Sequence, residues 1–157
     1  HLLSRRQRQM CIRDRGGTID RMDAKESTLR IVDYKTGGNP KIPANIEQLF
    51  TPSETRPNYI FQTFLYASIM CRQQTLKVAP ALLYIHRAAS DSYSPVIEMG
   101  EPRQPKIPVN NFTFFEDEFR KRLQTLLEEI FSENEPFTQT EDIKKCSYCD
   151  FKAICKR

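Results

Sequence analysis

The stretch GGTIDRMDAKESTLRIVDYKTGG, residues Gly16 to Gly38, decides how the chain is read. "GTIDRMD" and "STLRIVDY" are short runs of alternating character, which predict two β-strands joined by the polar turn "AKES". Leu29, Ile31 and Asp33 fall on one face of the second strand, and Arg30, Val32 and Tyr34 on the other. Each strand carries an aspartate near one end, Asp20 in the first and Asp33 in the second. Lys35 shares the parity of Asp33, so both point to the same place. The glycines after it let the chain turn away and leave the site open.

Two carboxylates side by side repel unless a cation sits between them. Oxygen ligands so arranged suit Mg2+ or Mn2+, which take one or two carboxylates plus waters and phosphate oxygens. An ammonium beside them can orient a water or offset the charge that grows on a phosphate under attack. That chemistry is metal-assisted phosphodiester hydrolysis. The same spacing also fits a polar strand end with an ordinary Asp–Lys surface pair, and on its own it does not choose between the two.

Downstream, element types alternate. Residues 37–58 read as a loop with one helical turn at "NIEQLF". "YIFQTFLYASIMCR" reads as a buried helix, with Ile60, Phe64, Ala67 and Met70 near one stripe and Phe61, Leu65 and Ile69 beside it. "VAPALLYIHR" is an almost unbroken apolar run, expected to be a central strand with His86 in the core or at the strand end. "SYSPVIEM" is a weaker strand, set at an edge by Pro95. "TFFEDEFRKRLQTLLEEIFSEN" is the clearest helix, with apolar residues from Phe115 to Ile130 at helical spacing and Thr113 with Glu116 as a capping box.

Composition sets the bounds. The chain of 157 residues is 39% hydrophobic and 28% charged, as in a soluble globular protein of one domain or part of one. No apolar run approaches the roughly 20 residues of a membrane helix, so no membrane partner is expected. The net charge of +4 resides in the first fifteen residues, which hold five arginines and one aspartate. This leader, residues 1–15, resembles translated adapter sequence. The expectation is that it is non-native, that the natural protein begins further upstream, and that a basic nucleic-acid-binding arm need not be invoked. Five cysteines, three of them bunched near one end, do not form an even disulfide framework. They point to a reducing, cytoplasmic setting and a metal or cluster site.

Two motifs carry a resemblance. "GTIDRMD" followed by "IVDYKTG" resembles the PD-(D/E)XK nuclease superfamily in its RecB-like branch, where a G-x-I-D-R-x-D strand precedes a D-Y-K-T-G strand and a helix bearing Q-x-x-x-Y follows. Gln62 and Tyr66 in "FQTFLY" have that last spacing, and i and i+4 share a helix face. The resemblance implies a restriction-endonuclease-like α/β core, with a central mixed sheet flanked by helices over residues 16–157. It makes Asp20 and Asp33 metal ligands, Lys35 the catalytic lysine, and Gln62 and Tyr66 supports of the site or DNA contacts. Arg21 and Asp23 match the motif without a defined role.

The tail "CSYCDFKAIC" sets Cys146, Cys149 and Cys155 in a CxxCxxxxxC pattern. Three close thiolates suit zinc or an iron–sulfur cluster. The pattern resembles the C-terminal motif of AddB-type recombination nucleases and of CRISPR-associated adaptation nucleases. There, three such cysteines and a fourth from far upstream hold a [4Fe–4S] cluster; the fourth is expected to lie upstream of this sequence and to be missing from it. Cys71 is expected to be a buried helix residue, and Cys11 lies in the leader.

The function implied is a Mg2+- or Mn2+-dependent deoxyribonuclease, an exonuclease of DNA end processing and recombinational repair. Its partners would be DNA and a helicase subunit or fused helicase-like domain. The alternatives are a catalytically inactive nucleic-acid-binding module of the same fold, a CRISPR-adaptation-type exonuclease, and a small structural zinc domain built on the tail.

Overall fold

The computed structural model describes residues 17–134, 136 and 138–157; the leader lies outside them. Strand β1 (Arg21–Lys25) and strand β2 (Thr28–Lys35) form an antiparallel hairpin in which Arg21 faces Val32 and Lys25 faces Thr28. The turn is therefore Glu26 and Ser27, two residues shorter than expected, with Glu26 in the left-handed region at φ 53°. The register extends the hairpin because it seats Asp23 opposite Arg30, an ion pair on the exposed face.

Helix α1 (Glu47–Phe50) is the single turn expected at "NIEQLF", anchored by the fully buried Leu49. Helix α2 (Asn58–Gln73) buries Ile60, Thr63, Phe64, Ala67 and Ser68. Ile69, placed beside the apolar stripe from sequence, is exposed. Strand β3 (Lys77–Tyr84) runs parallel to β2, with Asp33 beside Leu82 and Lys35 beside Tyr84. The three strands order as β1-β2-β3, a mixed sheet with β2 in the middle.

The sequence reading put β3 at the centre, and its run of buried residues agrees with burial. Its position is nevertheless the side of the three-stranded sheet, where Pro80 can lack a ladder donor. Its outer edge is closed piecemeal. Ala81 bridges to Val96, Leu82 N–H donates to Pro95 O at 2.9 Å, and the Tyr93 hydroxyl donates to Leu82 O at 2.7 Å and accepts from Tyr84 N–H at 2.8 Å. A tyrosine thus meets backbone groups that a neighbouring strand would otherwise pair. "SYSPVIEM" contributes only strand β4 (Glu98–Met99), paired with strand β5 (Ile107–Pro108). His86 sits exposed in a 3₁₀ turn, Ile85–Arg87, just past β3.

Helix α3 (Thr113–Phe131) begins where expected, but Thr113 is its first residue and its N–H is met by Asn111 Oδ1 at 3.2 Å. The capping-box reading thus gives way to an Asn two residues earlier, which serves the same orphan donor. Phe119 of α3 is fully buried among Phe50, Phe61, Phe64 and Phe112, with ring centroids 5.3–6.0 Å from its own. This aromatic cluster and the aliphatic faces of β2, β3 and α2 form the core.

The chain divides into two compact units within α3, between Gln124 and Thr125. The second unit contains helix α4 (Ile143–Ser147), capped by Asp142, which accepts from Lys144 N–H at 3.1 Å. Arg157 donates to Gln139 Oε1 and Thr140 O, and Gln139 donates to Cys155 O, tying the last turn to the segment before α4. Among the described residues no helix is long and apolar enough to cross a membrane.

Candidate active site at the ends of the parallel strands

Asp33 is buried on β2 for a physical reason that sets up the site. Its side chain shares the inward parity of Leu29 and Ile31, so the strand drives a carboxylate into the covered face of the sheet. A buried carboxylate needs a counter-charge. Lys35, two residues on and on the same face, supplies it, with Nζ 2.5 Å from Asp33 Oδ2. The two side chains are only 5% and 14% exposed.

Lys35 is itself held. Its ammonium donates to Gln62 Oε1 at 3.1 Å and lies 4.4 Å from the centre of the Tyr59 ring. Gln62 then donates through Nε2 to the Tyr66 hydroxyl at 3.1 Å. Gln62 and Tyr66 are one helical turn apart on α2, so the helix presents them as a unit. The chain entering β1 passes so close to Tyr66 that a Cβ on Gly17 would stand 2.4 Å from the hydroxyl oxygen. Only glycine lets the backbone by.

Asp20 precedes β1. One further step of the hairpin register sets it opposite Asp33, and its Oδ2 accepts Tyr34 N–H at 2.7 Å. Asp20, just before β1, and Asp33, near the end of β2, thus lie at the same end of the sheet. The structure places Asp20, Asp33, Lys35, Gln62 and Tyr66 at one end of the sheet.

Asp33 Oδ2 is buried, and its partner is the Lys35 ammonium at 2.5 Å. Such an oxygen, with a second carboxylate from Asp20, fits a hard cation that takes one or two carboxylates and fills its remaining positions with water and phosphate oxygens. No third His, Cys, Asp or Glu joins them among the described residues.

Arg21 and Asp23 belong elsewhere. They lie on the opposite face of the hairpin, where Arg30 Nη2 and Arg21 Nε each donate to the Asp23 carboxylate at 2.8 Å. Hydrogen bonds from Arg30 and then Arg21 hold the Asp23 carboxyl below the usual carboxylate range, and the bond to Asp23 pushes Arg21 up. This is a cross-strand brace for the hairpin, so two letters of the motif do structural work rather than chemistry.

A family model described as the PD-(D/E)XK nuclease superfamily matches residues 16–156. The chain belongs to that superfamily. No curated protein and no solved structure shows a significant match. Superfamily members are generally metal-dependent nucleases.

The cysteine tail corrects the sequence reading. Cys146 and Cys155 are half-buried, Cys149 is exposed, and all three are free thiols. Cys146 directs its thiol back to Asp142 O at 3.8 Å. Among the described residues these side chains do not come together as a group able to hold a metal. Close spacing in sequence makes a chelate only when the turn also aims the sulfurs at one point, and here α4 and the following turns do not. Nothing among the described residues supports a [4Fe–4S] cluster on this tail. Cys71 is half-buried on α2, and burial pushes its thiol up.

Sequence reasoning missed Tyr59. It lies one residue before the buried Ile60 and reads as part of an apolar helix, yet it is exposed and contacts the ammonium of Lys35. Its position one turn before Gln62 on the same helix was the available signal.

Proposed function

We propose that the chain is a divalent-metal-dependent deoxyribonuclease, a RecB/AddB-like exonuclease acting on DNA ends in recombinational repair, in the cytoplasm, with a helicase subunit or a fused helicase-like domain. The observation that carries the hydrolytic part is the buried Asp33 carboxylate with the Lys35 ammonium held 2.5 Å from its Oδ2. The repair role and the helicase partner rest on the likeness of "GTIDRMD", "IVDYKTG" and "FQTFLY" to the RecB branch.

Asp20 and Asp33 would hold the cation, which when bound polarises the phosphate and acidifies a water. Lys35 supplies the other positive charge. Its ammonium is aimed by Gln62 and by the Tyr59 ring, so it costs little reorganisation to offset the charge that builds on the phosphate oxygens. In the reaction a water oxygen bonds to phosphorus, the phosphorus–oxygen ester bond breaks, and the leaving alkoxide takes up a proton.

The test is cleavage of an end-labelled DNA with Mg2+, Mn2+ or EDTA. Cleavage should need the metal, and Asp33→Ala and Lys35→Ala should each lower the rate by about 10²-fold or more. Undiminished cleavage by Lys35→Ala would remove the lysine from the mechanism. Cleavage in EDTA would sink the metal-dependent reading.

A further inference from the structure

Beside the reaction centre lies a cleft of about 270 Å³ that the hydrolytic machinery does not use. It opens at the carboxyl ends of the parallel strands β2 and β3, where ligands of open α/β sheets bind. Its lining includes Gly38, Lys41, Arg56, Tyr59 and Tyr84, and no carboxylate. Lys41, Ile60 and Tyr84 also line a neighbouring trough of about 580 Å³, whose wall carries Arg87.

Three features give the cleft a ligand class. The first is charge. Lys41 donates to two carbonyls, Thr55 O at 2.9 Å and Arg56 O at 3.2 Å. Arg56 Nε donates to Asn58 Oδ1 at 2.9 Å, and Arg87 Nη2 to Asn39 Oδ1 at 3.0 Å. These acceptors are neutral oxygens, so the bonds orient the cations without supplying a counter-charge. The second is a flat apolar surface. Tyr59 is 42% exposed, and its ring is also the one that Lys35 caps. The third is a bare backbone. Gly38 has φ +80°, and a Cβ there would press to 3.3 Å from the Tyr59 ring. Anionic groups joined to a planar ring fit this set, and the cleft's size admits one nucleotide but not a paired duplex.

Resting on the nuclease reading, we propose that this cleft holds one unpaired nucleotide of the substrate strand next to the scissile phosphate, its base against Tyr59 and its flanking phosphates on Lys41, Arg56 and Arg87. A base stacked on an aromatic ring is read by its π-face, so the subsite is indifferent to sequence. It selects an unpaired strand because a paired base cannot reach the ring. Tyr59 thereby couples recognition to chemistry, since the ring that carries the base also steadies the ammonium of Lys35.

The experiment measures binding of fluorescein-labelled oligothymidylate, alone and annealed to its complement, to the full chain in EDTA over a range of salt. The single strand should bind more tightly. Tyr59→Leu should weaken it about tenfold or more. Arg56→Gln and Arg87→Gln should each weaken it and reduce the salt slope by about 0.7, the value for one phosphate on a single strand. Thermal melts check that each variant is folded, and Arg87→Gln is the safest of them because its side chain packs on no core ring. Equal or tighter binding of the duplex, or wild-type affinity and slope in all three variants, overturns the cleft. The nuclease reading fails separately. A chain that binds as described but cuts nothing with Mg2+ or Mn2+ supports the cleft and removes the hydrolytic role.

Discussion

The ammonium of Lys35 stands 2.5 Å from the buried Oδ2 of Asp33, so a cation already occupies the side of the carboxylate that metal chemistry would also use. The pair is a charge balance with two possible partners for the aspartate. Removing Lys35 leaves a buried carboxylate unpaired, which is costly. Lys35→Ala should therefore melt below wild type in EDTA and recover part of the loss when Mg2+ or Mn2+ is added. Ligand at one hundred times its Kd contributes about 2.7 kcal/mol, worth roughly 5–10 °C in a domain of this size. Asp33→Ala should show no metal-dependent rise in Tm. Differential scanning fluorimetry checks both, and an equal rise in Asp33→Ala would place the cation elsewhere.

Gly17 and Tyr66 make a second, quieter requirement. A Cβ at Gly17 forces the Tyr66 ring aside, breaks its bond with Gln62, and loosens the group that aims Lys35. Gly17→Ala and Gln62→Ala should lower kcat by up to about 10²-fold, the scale of a misplaced reacting group, with KM little changed. A change in KM alone would make these residues substrate contacts rather than positioning groups.

The aromatic core sets a stability benchmark away from the site. Phe119 is fully buried against four other rings, so Phe119→Ala should cost about 3–5 kcal/mol in denaturant unfolding. Phe114, exposed five residues earlier on the same helix, should tolerate alanine with little change.

Asp23 gives the pH dependence of the hairpin. Its folded carboxyl is held low by Arg30 and Arg21, so its contribution is fully present above the unfolded value near 3.9 and is lost as pH falls through the folded one. Carboxyl-carbon NMR should show Asp23 titrating at lower pH than a free aspartate. An Asp23 midpoint at or above the free value would mean that the two arginines do not brace the strand pair.

The thiols separate by burial. Burial raises the Cys71 thiol, so it should alkylate with iodoacetamide at pH 8 more slowly than the exposed Cys149. A preparation made without oxygen should carry neither iron nor sulfide on Cys146, Cys149 and Cys155, because their side chains are not gathered around one point. Stoichiometric iron and sulfide in that preparation would show that the tail rearranges around a cluster.

The sequence by itself determined the strand pair, the two helices and the parity of the catalytic face. These follow from periods of two and 3.6, which depend only on neighbours along the chain. Spacing alone left Asp20, Asp33 and Lys35 between a metal site and a surface ion pair, and it was the resemblance of the motifs to a nuclease family that singled out these three with Gln62 and Tyr66. What it could not carry was anything set by the third dimension. The turn at Glu26 and Ser27 was decided by the cross-strand match of Asp23 with Arg30. The place of β3 beside β2 was decided by which edges Tyr93 and Val96 could close. The cysteine motif has the spacing of a ligand set, but spacing fixes only how far apart sulfurs can be, and the described residues do not gather them into a metal-holding group. Tyr59 became part of the site only when α2 docked on the sheet and brought its ring to the ammonium of Lys35, a contact across 24 residues that no local pattern encodes.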